Sequence, residues 1–83
     1  LTIYPQLLVN VKVKDKNVVL NDEDIKNKIE DIKRKLGNDG QILVRASGTE
    51  PLIRVMVEAE NDKLCNDYVY SVVDLINEKG YQA

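Results

Sequence analysis

The sequence predicts an α+β domain in the order β-α-β-β-α, with two helices packed on one face of a small, mainly antiparallel sheet. Three observations carry that prediction. Three segments alternate apolar and polar residues with the period of two of a half-buried strand. Two others repeat apolar residues at spacings of three and four, as amphipathic helices do. Finally, 83 residues allow one core, into which two one-faced helices must both turn. Area scaling at this size buries roughly 63% of the unfolded chain's surface, which suits one domain over residues 1–83 and not two.

In the first strand Leu7, Val9, Val11 and Val13 alternate with Leu8, Asn10, Lys12 and Lys14. Asp15, Lys16 and Asn17 read as a turn, and Val18 to Leu20 as a short extension or brief extra strand. Asn21 is placed as the N-cap of the first helix, with Leu20 and Ile25 as a hydrophobic staple. Asp22, Glu23 and Asp24 then sit where the positive end of the helix dipole favours carboxylates. Ile25, Ile29, Ile32 and Leu36 share one helical face, Lys33 to Lys35 complement the negative end, and Gly37 supplies the stop. A turn at Asn38 to Gly40 leads into a strand from Gln41 to Ala46. The residues Ser47 to Pro51 interrupt the alternation, which resumes from Leu52 to Ala59. Asn61 caps the second helix, whose stripe is Leu64, Cys65, Tyr68, Val72, Leu75 and Ile76, with Gly80 at its end.

Composition removes whole classes of chemistry. With no His, a His-based triad, metal site or proton shuttle cannot be built from this chain. The single Cys65 excludes an internal disulfide and any multi-cysteine metal site, and on the helix stripe it reads as a small buried hydrophobe. Met56 and Tyr68 read as packing residues. A net charge of -2 has the wrong sign for a dedicated nucleic-acid partner. Only two basic residues follow position 57, against six acidic ones, so an anion site belongs earlier in the chain. Apolar runs fall short of a membrane span, and no signal-peptide pattern opens the chain, which predicts no membrane partner and a soluble, reducing compartment. Because the chain starts at Leu1 and runs at once into a strand pattern, it reads as a piece of a longer protein.

One constellation carries chemistry. Arg45-Ala46-Ser47-Gly48-Thr49-Glu50-Pro51-Leu52-Ile53-Arg54 joins the two later strands. Ser47 and Thr49 offer short hydroxyls, and Gly48 can take positive φ, letting neighbouring N–H groups converge as a nest. Arg45 and Arg54 flank the loop, each with a planar fork matched to phosphate oxygens. Pro51 fixes the exit, while Glu50 reads as orienting an arginine or meeting a ligand hydroxyl. Residue types alone leave two readings open, a phosphate cradle or a plain strand connection. Ser47 lacks a base in the sequence around it, so a nucleophilic role is disfavoured. Asp22 to Asp24 need no metal, since capping explains them, and Lys33 to Lys35 read as solvated charges.

Arg45 to Ala59, RASGTEPLIRVMVEA, resembles the signature loop and strand of the C-terminal domain of the α-D-phosphohexomutases, above all their bacterial phosphoglucosamine mutase branch. The opening YPQLLVNVKVKDK, Tyr4 to Lys16, resembles the same family, and Ala46 departs from the Pro or Lys of many members. The resemblance implies a TBP-like domain of a four-domain cytoplasmic isomerase that interconverts glucosamine 6-phosphate and glucosamine 1-phosphate for UDP-N-acetylglucosamine and peptidoglycan precursors. It implies that Arg45, Ser47, Gly48, Thr49 and Arg54 hold the phosphate that is not transferred. Phosphoserine, Mg²⁺ and sugar-reading residues are then expected in other domains, with no catalytic residue, metal ligand or cofactor in this chain, which alone should be inactive. The partners implied are the phosphosugar and the enzyme's remaining domains. The same domain of a phosphomannomutase or phosphoglucomutase is the neighbouring alternative. An RNA-binding module is disfavoured because residues 7–14, 41–46 and 52–59 lack aromatics for base stacking. The arginine pair makes a purely structural interaction module unnecessary.

Overall fold

The computed structural model describes residues 4–83. Strand β1 (Gln6–Lys12) is followed by helices α1 (Lys16–Asn21) and α2 (Glu23–Leu36), strands β2 (Gln41–Ala46) and β3 (Leu52–Glu58), and helix α3 (Asp62–Glu78). The sheet is antiparallel throughout, in the order β1-β3-β2. Helix α3 lies on β1 and β3, and α2 lies on β2, so the two long helices share one face as expected. Register explains why. The rows Leu7–Val57–Ile42, Val9–Val55–Val44 and Val11–Ile53–Ala46 all point to that face. Ile53, Val55 and Val57 are fully buried in the central strand, and they meet Ile25, Ile32, Leu36, Val69, Val72 and Ile76 in one contiguous core.

The region between β1 and α2 corrects the sequence reading. Residues 18–20 are neither an extension nor a strand; they belong to α1, which makes the order β-α-α-β-β-α. Asp15 decides this, because its carboxylate accepts from the N–H groups of Asn17 at 2.9 Å and Val18 at 3.4 Å and so caps a helical turn. In that turn Val19 is buried while Val18 stays 45% exposed, a rotation no strand pairing enforces. The cap of α2 is Asp22 rather than Asn21, its Oδ1 accepting from Asp24 N at 2.9 Å and Ile25 N at 3.1 Å. The shift by one residue moves the staple positions onto Asn21 and Lys26, so Leu20 and Ile25 join the core without forming that motif.

The ends of the elements follow local chemistry. Lys33 pairs with Glu30, and Arg34 and Lys35 pair with Asp31, whose carboxyl Lys35 holds below its ordinary range. Gly37 has φ 56° and closes α2 on the carbonyl of Lys33. At Gly40 the need for glycine is a close approach: a Cβ there would stand 2.1 Å from the carbonyl oxygen of Glu58. Asn61 caps α3 by accepting from Leu64 N at 2.9 Å. The buried seam of α3 is Cys65, Val69, Val72 and Ile76, with Leu64, Tyr68 and Leu75 flanking it. Val69 is the residue the predicted stripe lacked, four after Cys65 and central to the seam. The Cys65 thiol donates to the Pro5 carbonyl at 3.3 Å.

Strand β1 ends at Lys12 rather than Lys14, because its ladder partner β3 begins at Leu52. Val13 N–H turns to the Pro51 carbonyl at 2.8 Å, and Lys14 N–H to that of Tyr81 at 2.9 Å. The chain end therefore lies beside β1, with an isolated bridge between Val13 and Gln82. A polar clasp anchors it: the Tyr81 hydroxyl donates to Asp22 Oδ2 at 2.5 Å, and Lys79 pairs with Asp22 at 3.4 Å and also with Asp24. The Tyr81 hydrogen bond, helped by the capped Ile25 amide and Lys79, lowers the pKa of Asp22 against the opposing effect of burial. The same bond raises the pKa of Tyr81, while Asp24 foremost raises that of Lys79.

Candidate functional site

The face of the sheet away from the helices carries the candidate site. Its rows, read across β1, β3 and β2, are Gln6–Glu58–Gln41, Leu8–Met56–Leu43 and Asn10–Arg54–Arg45, followed by Lys12 beside Leu52. Period-two alternation thus sets every second residue of the core strands on an uncovered surface. Arg45 and Arg54 are direct cross-strand partners. Like charges placed opposite each other destabilise a sheet, and neither guanidinium is ion-paired among the described residues. The Arg54 Nε donates to Asn10 Oδ1 at 3.4 Å, which leaves the rest of its fork free to point along the strand. An anion between the two forks would replace repulsion with charge-assisted hydrogen bonds.

Ala46, Ser47 and Gly48 complete a concavity of about 280 Å³ with the two arginines. The structure brings Arg45, Ser47, Gly48 and Arg54 together here, and Thr49 follows in the same exposed loop. Two details differ from the expected cradle. Gly48 is not among the residues with positive φ, so the loop is no left-handed nest, and a Cβ at Gly48 would meet nothing within 4 Å. The Ser47 N–H is spent on the Leu52 carbonyl at 2.9 Å, which closes the mouth of the loop, while the amides of Gly48, Thr49 and Glu50 have no backbone partner among the described residues. Leu52 N–H returns to the Glu50 carbonyl at 2.8 Å, a tight turn centred on Pro51, whose fixed φ suits it. Glu50 pairs with neither arginine and stays exposed, so it does not orient them.

Three features were missed by reasoning on the sequence. Asn10 stands opposite Arg54, a relation that only the strand order creates. Lys16, read as a turn residue, reaches across 31 positions to donate to the Ser47 carbonyl at 2.6 Å. Met56 is not a core residue; it forms an apolar shelf with Leu8 and Leu43, and with the arginines these line a second concavity of about 230 Å³. A larger groove of about 520 Å³ separates α2 from α3, but Asp24, Asp31, Asp74 and Glu78 line it against the single Lys28, a balance that would repel a phosphate. Among the described residues no three His, Cys, Asp or Glu side chains converge as a metal site. No helix among them is long and apolar enough to cross a membrane.

A family model described as the phosphoglucomutase/phosphomannomutase C-terminal domain matches residues 8–75, which include the arginine row and the whole loop. The chain belongs to that family. As a phosphoglucomutase/phosphomannomutase C-terminal domain it is similar to the phosphoglucosamine mutase of Bacillus cytotoxicus, at 53% identity over 73 residues, covering 88% of this chain and 16% of that protein. The phosphoglucosamine mutase of Lachnospira eligens is 52% identical over 81 residues, 98% of this chain and 18% of its own length. The chain thus spans less than a fifth of these relatives. Among solved structures, an N-acetylglucosamine-phosphate mutase of the α-D-phosphohexomutase superfamily, in its substrate complex, superposes with a TM-score of 0.73 at 27% identity, over 88% of this chain and 15% of that one. The Aspergillus fumigatus N-acetylphosphoglucosamine mutase, in complex with GlcNAc-6P and magnesium, shares the fold with a TM-score of 0.75 at 24% identity, over 90% and 16%. The small antiparallel sheet under two long helices is therefore the family's architecture.

Proposed function

We propose that this chain is the phosphate-binding C-terminal domain of a phosphoglucosamine mutase, a cytoplasmic enzyme interconverting glucosamine 6-phosphate and glucosamine 1-phosphate. The observation that carries the reading is the unpaired Arg45–Arg54 row beside the Ser47-Gly48-Thr49 loop. A relative at 53% identity that is a phosphoglucosamine mutase supports the choice of sugar. In this reading the two guanidinium forks, the hydroxyls of Ser47 and Thr49 and the amides of Gly48 and Thr49 bind the phosphate that is not transferred. Phosphoryl transfer needs a nucleophile and Mg²⁺, which this reading assigns to the other domains. The domain's contribution is then orientation, since remote phosphate binding closes it on the sugar and positions the distant reacting oxygen. Release lets a bisphosphorylated intermediate turn, after which either phosphate can occupy the same forks.

An amide NMR titration of this chain with glucosamine 6-phosphate tests the reading. Affinity near millimolar, about -4 kcal/mol, is expected for a clamp lacking its other walls. Shifts should centre on Gly48 and Thr49. Shifts concentrated at Lys33 to Lys35 would move the site to the end of α2. The chain alone, supplied with sugar phosphate, bisphosphate activator and Mg²⁺, should show no turnover. Comparing mannose, glucose and glucosamine phosphates on the full-length enzyme would separate this reading from a phosphomannomutase or phosphoglucomutase.

A further inference from the structure

We infer that Lys16 is a positioning residue for the phosphate loop, setting the direction in which the Gly48 amide points. The inference rests on the phosphate-binding reading of that loop and extends it to a residue outside the signature run. Lys16 is the first residue of α1, a helix held in place by the Asp15 cap and by buried Val19. Its side chain is partly buried, and its ammonium donates to the Ser47 carbonyl at 2.6 Å. That ammonium is in none of the ion pairs among the described residues.

The Ser47 carbonyl and the Gly48 N–H belong to one peptide plane. In a trans peptide they point in opposite directions, so a fixed carbonyl fixes the amide. The backbone on the strand side is already held, because Ser47 N–H bonds the Leu52 carbonyl at 2.9 Å. What remains free is rotation of the Ser47–Gly48 plane, and glycine resists that rotation less than any other residue. Lys16 removes this freedom from the side opposite the one to which the amide is directed. A cationic donor on the carbonyl also polarises the peptide and makes its N–H a better donor. Lys16 therefore acts through Gly48, without itself touching the anion.

The test is an amide NMR titration of this chain with inorganic phosphate, run on the parent, Lys16→Met, Lys16→Arg and Arg54→Ala. Before phosphate is added, Lys16→Met should displace the Gly48 amide resonance, with Val55 and Val57 unmoved as the check on the fold. Its phosphate affinity should fall between about threefold and tenfold. Lys16→Arg, which can donate to the same carbonyl, should restore both the Gly48 signature and most of the affinity. If Arg54→Ala abolishes binding while Lys16→Met keeps affinity within twofold and leaves Gly48 unmoved, the positioning role is wrong and the loop reading stands. An equal loss of affinity in Lys16→Met with Gly48 unmoved would overturn it too, since charge alone would then be the cause. If Arg54→Ala binds phosphate as the parent does, the loop reading itself fails, whatever Lys16 does.

Discussion

The two faces of the one sheet are built from alternate residues of the same three strands, yet they share almost no chemistry. The helix-covered face is aliphatic from edge to edge, with Ile53, Val55 and Val57 at its centre fully buried. The other face sets two arginines side by side, an asparagine beside them and a shelf of Leu8, Leu43 and Met56, with Leu8 50% and Leu43 39% exposed. Neighbours such as Ile53 and Arg54 are one residue apart and meet different surroundings: the first is packed in the core, the second lies exposed beside another arginine. The lesson is that a small domain can place a repulsive arginine pair on a strand when the opposite face of that strand supplies the stability.

The sharpest way to break this comparison is to truncate adjacent residues. Ile53→Ala should cost about 2 to 5 kcal/mol, a large share of the stability expected for a chain of this size, and urea denaturation would measure it. Arg54→Ala, one position along, should leave stability within about 0.5 kcal/mol or raise it slightly as the repulsion is lost. If the arginine variant unfolded as readily as the isoleucine variant, the two faces would not be separable.

Function should divide the other way. In the full-length enzyme, Arg54→Ala is expected to lower kcat/KM by about 1.5 to 3 kcal/mol, roughly ten- to more than hundredfold, with Arg54→Lys recovering part because a point charge lacks the fork. Lys35→Ala, at the far end of α2, should leave kcat/KM within about twofold. Equal effects from both would mean that diffuse charge, not the forked pair, binds the substrate.

Two glycines extend the contrast. Gly40→Ala should destabilise by about 1 to 3 kcal/mol, because its Cβ would collide with the Glu58 backbone and no flexible side chain can yield. Gly48→Ala has open space around it, so thermal unfolding should be nearly unchanged while phosphate affinity falls as the methyl group crowds the ligand.

The smallest effect concerns the clasp at the chain end. Asp22 has a lowered folded pKa, so its contribution to stability is present above the unfolded value near 3.8 and is lost as pH falls through the folded one. Tyr81 has a raised pKa, so its contribution holds below the unfolded value near 10.0 and is lost as pH rises through the folded one. Tyr81→Phe should therefore lower the melting temperature slightly at neutral pH and flatten the alkaline fall. An unchanged pH profile in that variant would show that the clasp adds nothing to stability.

Local pattern determined much of this protein. Alternation along Leu7 to Val13, 41–46 and 52–59 named the three strands, and the spacing of Ile25, Ile29, Ile32 and Leu36 named α2, because pleat and helix impose those periods on any residue that must be buried. The loop was legible only in part: its Ser, Gly, Thr and flanking Arg left a phosphate cradle and a plain strand connection both open, and the resemblance of Arg45 to Ala59 to the phosphohexomutases favoured the cradle. The helix at 18–20 lay between the two cases: its Asp15 cap is local, but it competes with a β-prone run, and burial of Val19 in the core sides with the cap. The tertiary structure alone decided two things. It joined Asn10 to Arg54 through strand order, and it brought Lys16 to Ser47 across 31 residues. Neither is encoded in a nearest-neighbour pattern, since each depends on where a distant segment lies once the core has closed.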